Sequence, residues 1–213
     1  MLRKYDNSAV DFIWFTDEKV FTVEPPFNSQ NDRVYAPVGT KKRLIEPSHM
    51  LRTRTTFSKS IMVSVAVLKM RLTYLLFVDP GVKVKGQYYR DVLLSQQMLP
   101  AIKHVAGDAF VFQQDSAPAH RARDTIQLLQ RVTLDFIGPD LRPPNSPDMN
   151  PVDYKIWGVM QQRVYECRVN NVGELKQRLI EVWHGLKQNV IDSAVNEWRK
   201  RPRACMSAQG LHF

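Results

Sequence analysis

Cysteine is scarce in this 213-residue chain: Cys167 and Cys205 are the only two, and neither belongs to a C-x-x-C pair. Zinc-site spacing and a disulfide framework are both excluded, which fits a reducing compartment such as the cytosol or nucleus. No apolar run approaches the roughly 18 residues that a membrane-spanning helix requires. The N-terminal stretch MLRKYDNSAVDF has no apolar core like that of a signal peptide. Internal repeats and low-complexity tracts are missing too. Acidic residues are in deficit, 21 against 30 Lys and Arg, a net charge of +9. That imbalance favours a polyanionic partner, of which nucleic acid is the usual one.

What is present is enough apolar material for a core, 44% of residues. Residues 12–16 (FIWFT) form an apolar and aromatic run that predicts a buried strand. Residues 19–23 (KVFTV) alternate and predict its neighbour after a tight turn at Asp17-Glu18. From 24 to 60 the pattern dissolves into a long loop, punctuated by proline and asparagine and carrying Lys41, Lys42, Arg43, Arg52 and Arg54. Residues 61–68 and 72–78 predict a strand hairpin. A helix follows over 86–104, interrupted at Pro100. Next come a strand at 109–113, a helix over 122–131, a strand at 132–137 and a loop at 138–151. Asn150 as N-cap and Pro151 as first helical residue start a helix to about Tyr165. Asn171 with Glu174 starts another, and a last apolar stripe (Ile191, Ala194, Val195, Trp198) is ended by Pro202. The order predicts a mixed α/β layer protein.

Three aspartates fall at informative places. Asp17 ends the first predicted strand, Asp115 follows the strand AFVFQ, and Asp153 lies in the first turn of a helix. Ninety-seven residues separate the first two and thirty-seven the last two. Taken singly, each has an ordinary structural explanation: turn residues for Asp17 and Asp115, and an acid favoured by the helix dipole for Asp153. Together, acids at strand ends and on an adjacent helix can converge at one sheet edge. Such a cluster suits hard divalent cations, two of which can activate the attacking oxygen and stabilise the leaving one in a phosphoryl displacement.

The flanking residues decide between these readings. The chain reads IWFTDEKVF, FVFQQDSAPAHRA and PPNSPDMNPVDYKIWG around the three acids. These segments, in this order and spacing, resemble the signatures of the Tc1/mariner transposase superfamily, mariner-like in ending on Asp. The resemblance runs from about residue 10 to the end. It implies an RNase H-like fold, a mixed sheet flanked by helices. It also implies Mg²⁺- or Mn²⁺-dependent cleavage of transposon-end DNA, with two ions, and transfer of the freed 3′-hydroxyl into target DNA. Asp17, Asp115 and Asp153 would be both catalytic residues and metal ligands, with Asp148 organising the loop. DNA ends and target would be the partners, a homodimer the assembly and the nucleus the location. No membrane or small-molecule substrate is implied.

Residues 1–213 then read as one catalytic domain, with 24–60 a basic loop insertion and 172–203 C-terminal helices. The helix-turn-helix region that family members carry ahead of this domain is expected to be absent, since only sixteen residues precede Asp17. The basic loop residues and His120 are candidate DNA contacts; packing or capping of the next helix is the other reading of His120. Residues 198–203 (WRKRPR) read as a solvated helix end. Tyr154, Ile156 and Trp157 read as packing the third-acid helix onto the sheet. The alternative function is a catalytically inactive relic or a domesticated DNA-binding module.

Overall fold

The computed structural model describes Tyr5 and residues 9–25, 37, 39–45, 58–69, 71–79, 81–141 and 146–207. Among the described residues, strand β1 (Ile13–Thr22) is the longest of six and lies at the centre of a single sheet. It pairs antiparallel with β2 (Ser60–Leu68) and parallel with β5 (Val111–Gln113). Strand β6 (Asp135–Ile137) runs parallel to β5 at one edge. Strands β3 (Arg71–Leu72) and β4 (Leu76–Val78) both pair with β2, so the predicted hairpin forms with an interruption. At that interruption the Thr73 side chain supplies ladder contacts instead: Oγ1 accepts from the Ala66 N–H at 3.1 Å. The Thr73 carbonyl is left to accept from the Trp183 indole at 2.7 Å.

The predicted turn at Asp17-Glu18 does not form. β1 runs straight through both acids, with Asp17 opposite Val65 and Glu18 opposite Ser64. The physical reason is alternation: Ile13, Phe15 and Phe21 bury on one face, Trp14 on the other, and a turn would break both faces. Asp17 is therefore a strand-interior acid.

Helices cover both faces. Helix α1 is continuous through Gly86–Tyr88, Tyr89–Met98 and Leu99–Ala106. The expected interruption at Pro100 takes the form of a register change. The segment ahead of it is wide-turned, with the Leu99 N–H reaching Leu94 O, five residues back. Gly107, at φ 70°, closes the helix. With α2 (Arg123–Val132), α1 covers the face that carries Trp14, Ala66 and Phe112.

The other face, carrying Phe15, Phe21 and Val65, is covered by three helices. These are α3 (Val152–Ile156 continuing as Trp157–Val164), α4 (Val172–His184) and α5 (Gln188–Glu197). The cap at α4 forms as read, with the Glu174 N–H on Asn171 Oδ1 at 2.9 Å and Glu174 Oε2 accepting the Asn170 N–H at 3.0 Å. Pro202 does not end the last helix. The break falls at Trp198-Arg199, and Pro202 sits in the first turn of α6 (Lys200–Ser207), where a missing N–H leaves no bond unmade. The 198–203 stretch is not a solvated end either. Trp198 is buried against Phe15, ring centroids 5.5 Å apart, and its indole donates to Met149 O at 3.2 Å.

Candidate active site

Register explains why two acids far apart in sequence come together. Phe15 pairs with Gln113, an offset of 98 positions, and Asp115 stands at the same offset from Asp17. β5 ends at Gln113 while β1 runs on, so the backbone of β1 beyond Phe15 loses its β5 partner. Asn150 fills that gap. Its Nδ2 donates to Thr16 O at 3.0 Å, and its Oδ1 accepts from the Val152 N–H at 3.1 Å. One buried side chain thus caps α3 and fastens it to β1 next to Asp17.

The first turns of α3 are wide, the Trp157 N–H reaching Val152 O five residues back. Single wide turns of this kind concentrate at functional sites. Asp153 is half-buried within this turn. Its neighbours are tied to α5: the Tyr154 hydroxyl donates to Ala194 O, and Lys155 Nζ reaches Ser193 Oγ at 2.6 Å and Glu197 Oε1 at 3.1 Å. Arg201 stacks over the Tyr154 ring at 3.7 Å. Trp157, one helical turn past Asp153, donates its indole N–H to Asp17 Oδ2.

Electrostatically the acids are one cluster. Burial pushes the Asp17 carboxyl well above the usual carboxylate range, and the negative charges of Asp153, Glu18 and Asp115 push it further, against the opposing Trp157 bond. The buried Tyr89 hydroxyl is also raised, by burial first and then by Glu18, Asp115 and Asp17. Asp115 Oδ1 accepts the Ala117 N–H at 2.9 Å and contacts His120 Nδ1. His120 is 4% exposed, and its Nε2 lies 3.1 Å from Glu18 Oε2. Burial disfavours the charged ring, but Glu18 and Asp115 outweigh it and hold its pKa up at about 10.

Hard oxygen donors, and the repulsion that Asp17 bears from Asp153, Glu18 and Asp115, fit a divalent cation, which would neutralise that repulsion. As the side chains stand, no group of three His, Cys, Asp or Glu among the described residues is gathered closely enough to hold a metal ion.

No family model matches the chain. The Tcb2 transposase of Caenorhabditis briggsae is 26% identical over 198 residues, 92% of this chain and 68% of that protein. The Tc3 transposase of Caenorhabditis elegans is 27% identical over 202 residues, 92% of this chain and 56% of that protein. Over most of its length the chain is similar to Tc1/mariner transposases. It spans about two thirds of the length of Tcb2 and just over half that of Tc3. The catalytic domain of Mos1 mariner transposase superposes with a TM-score of 0.72 at 19% identity, over 97% of this chain and 86% of that one. The Mos1 paired-end complex with Mn gives 0.76 at 21%, over 96% and 57%. These likenesses establish an RNase H-like fold, the mixed sheet flanked by helices that the sequence predicts.

The remaining expected site residues are dispersed. Lys41 and Arg43 are exposed, near or in the short turn Lys42–Leu44. The Lys42 side chain, Arg52 and Arg54 lie outside the described part of the structure. His120, expected as a DNA contact, is buried with both ring nitrogens on carboxylates, so it does not present a donor to solvent. Three contributors escape sequence reasoning: Glu18, the clamp made by Asn150, and the Trp157 donor. A signal existed for Glu18, an acid inside a strand whose opposite-face neighbours are apolar, because a half-buried acid there needs a partner. Among the described residues, no helix is long and apolar enough to cross a membrane.

Proposed function

We propose that this chain is the catalytic domain of a Tc1/mariner-type transposase, which cuts transposon-end DNA and joins the freed 3′-hydroxyl to target DNA. The observation that carries this reading is the shared strand offset that brings Asp115 to Asp17, with α3 clamped alongside by Asn150 so that Asp153 enters the same field. Asp17, Asp115 and Asp153 would hold Mg²⁺ or Mn²⁺, two ions in all. When bound, such ions activate the attacking oxygen and stabilise the leaving one. The Mos1 structures with Mn and with Mg support divalent metal use.

The protein's own groups prepare the site. Trp157 orients Asp17, the Ala117 N–H orients Asp115, and the ties from Tyr154 and Lys155 to α5 set the helix that carries Asp153. Lys41 and Arg43, together with Lys42, Arg52 and Arg54 of the 24–60 loop, grip DNA phosphates. The whole of residues 1–213 acts as this domain, with helices 172–203 backing α3. The protein works as a homodimer on paired DNA ends, in the nucleus; solved Mos1 paired-end complexes support this assembly.

The test is a pre-nicked duplex carrying an element end, incubated with the purified chain and Mg²⁺ or Mn²⁺. Cleavage or joining that EDTA abolishes supports the reading. DNA binding without either reaction at any metal concentration points to a non-catalytic binding module.

A further inference from the structure

Asp17 and Glu18 are successive residues of one strand, so their side chains leave opposite faces of the sheet. On the face covered by α1, Glu18 Oε1 accepts from Ser64 Oγ of β2 at 2.8 Å, and Glu18 Oε2 lies 3.1 Å from His120 Nε2. The other ring nitrogen, Nδ1, contacts Asp115 Oδ1. The His120 ring packs on Tyr89, centroids 4.1 Å apart. The Tyr89 hydroxyl donates to Gln114 Oε1 at 3.1 Å, and Gln114 Nε2 returns to the His120 carbonyl at 2.8 Å. Both ends of the histidine are therefore fixed, main chain and side chain, by buried partners.

We propose that His120 is a positioning residue that straps the Asp115 carboxylate to Glu18, setting the direction in which Asp115 faces Asp17. The proposal rests on the reading of Asp115 as a metal ligand. A carboxylate torsion is broad and two-fold when nothing holds it. Here the Ala117 N–H and the imidazole both meet the same oxygen, Oδ1, which restrains that torsion and with it the direction of Oδ2. Glu18 gives the ring its second anchor, and Ser64 anchors Glu18, so the strap crosses from β2 over β1 to the segment after β5. Partners that orient a metal ligand from behind typically alter metal affinity or activity 10- to 100-fold when removed, an order-of-magnitude guide.

The experiment is calorimetric titration of Mn²⁺ into the full chain, alongside kcat and KM for a pre-nicked duplex. The variants are His120→Asn, Glu18→Gln and Asp17→Asn. The expected result is Mn²⁺ affinity lower by roughly 10- to 100-fold in His120→Asn, a smaller loss in Glu18→Gln, and kcat falling in both while KM for DNA holds. Glu18→Gln keeps side-chain volume and an acceptor for Ser64, so it reads the strap even if His120→Asn fails to fold. Wild-type Mn²⁺ affinity in the folded strap variants, with binding lost in Asp17→Asn, overturns the positioning role and leaves the metal reading standing. Undiminished binding in Asp17→Asn overturns the metal reading, and the positioning role with it.

Discussion

Asp17 carries a heavy electrostatic burden. It is buried, it shares its surroundings with Asp153, Glu18 and Asp115, and its pKa is raised well above the ordinary carboxylate value. A raised acid binds its proton more readily folded than unfolded. Its contribution to stability is full below the unfolded value of about 3.9 and is lost as pH rises through the folded pKa. Metal-free protein should therefore lose stability from this group as pH climbs above about 4. Asp17→Asn should remove that slope and melt higher than the parent at neutral pH. Thermal melts across pH check this, and a variant less stable than the parent at pH 7 would contradict it. Trp157→Phe removes the indole donor, at a cost of about 1–3 kcal/mol in a denaturant titration; an unchanged midpoint would mean the bond to Asp17 contributes nothing. The sequence singled out Asp17, Asp115 and Asp153 as candidates through their flanking motifs. It did not show what holds them, because Trp157 reaches Asp17 and Asn150 reaches Thr16 over separations of 140 and 134 residues, and Glu18 is itself anchored by Ser64 46 residues away.

Two helix starts carry the same cap chemistry and illustrate what element-level reading can and cannot do. Asn171 caps α4 at the surface, and Asn150 caps α3 in the interior. From sequence they look alike. In the fold only Asn150 also satisfies a strand carbonyl, Thr16 O, at the end of β5. Asn171→Ala should cost about 1 kcal/mol and leave metal-dependent cleavage intact. Asn150→Ala loses the cap and strands a buried carbonyl, a cost of about 2–3 kcal/mol, and cleavage should fall with it. Equal costs in paired unfolding titrations would contradict the clamp. Long periodic elements were legible in this chain: α1, α4, β2 and the core of α3 fall where the apolar pattern places them. The misread boundaries involve polar residues and prolines whose role depends on tertiary context. Asp17-Glu18 looks like a turn until both faces of β1 are seen to be buried. Pro202 looks like a stop until it is found in a first helical turn.

At the scale of the whole molecule, a net charge of +9 coexists with a buried acidic cluster around Asp17. Lys41 and Arg43 are exposed, as a phosphate contact requires. Replacing both by Ala should weaken binding to unrelated duplexes about equally and lower the salt-dependence slope by roughly one for each phosphate no longer neutralised. A slope unchanged in fluorescence anisotropy at several salt concentrations would show that these residues stand off the DNA. The fold class and chain order of the layers were legible from the sequence. The approach of Asp115 to Asp17 was not, because it depends on one parallel strand register, and spacing along a chain does not encode which strands pair.

The most direct test of the central claim, that Asp17, Asp115 and Asp153 form one catalytic cluster, is cleavage of pre-nicked element-end DNA in Mn²⁺. Single alanine variants at each acid would be compared with Asp148→Ala from the neighbouring loop. The account predicts losses of about a thousandfold or more at the three acids, as for residues that act as a unit, and near-parental cleavage in Asp148→Ala with folding intact throughout. Retained cleavage in Asp153→Ala, with the loss appearing at Asp148 instead, would contradict it.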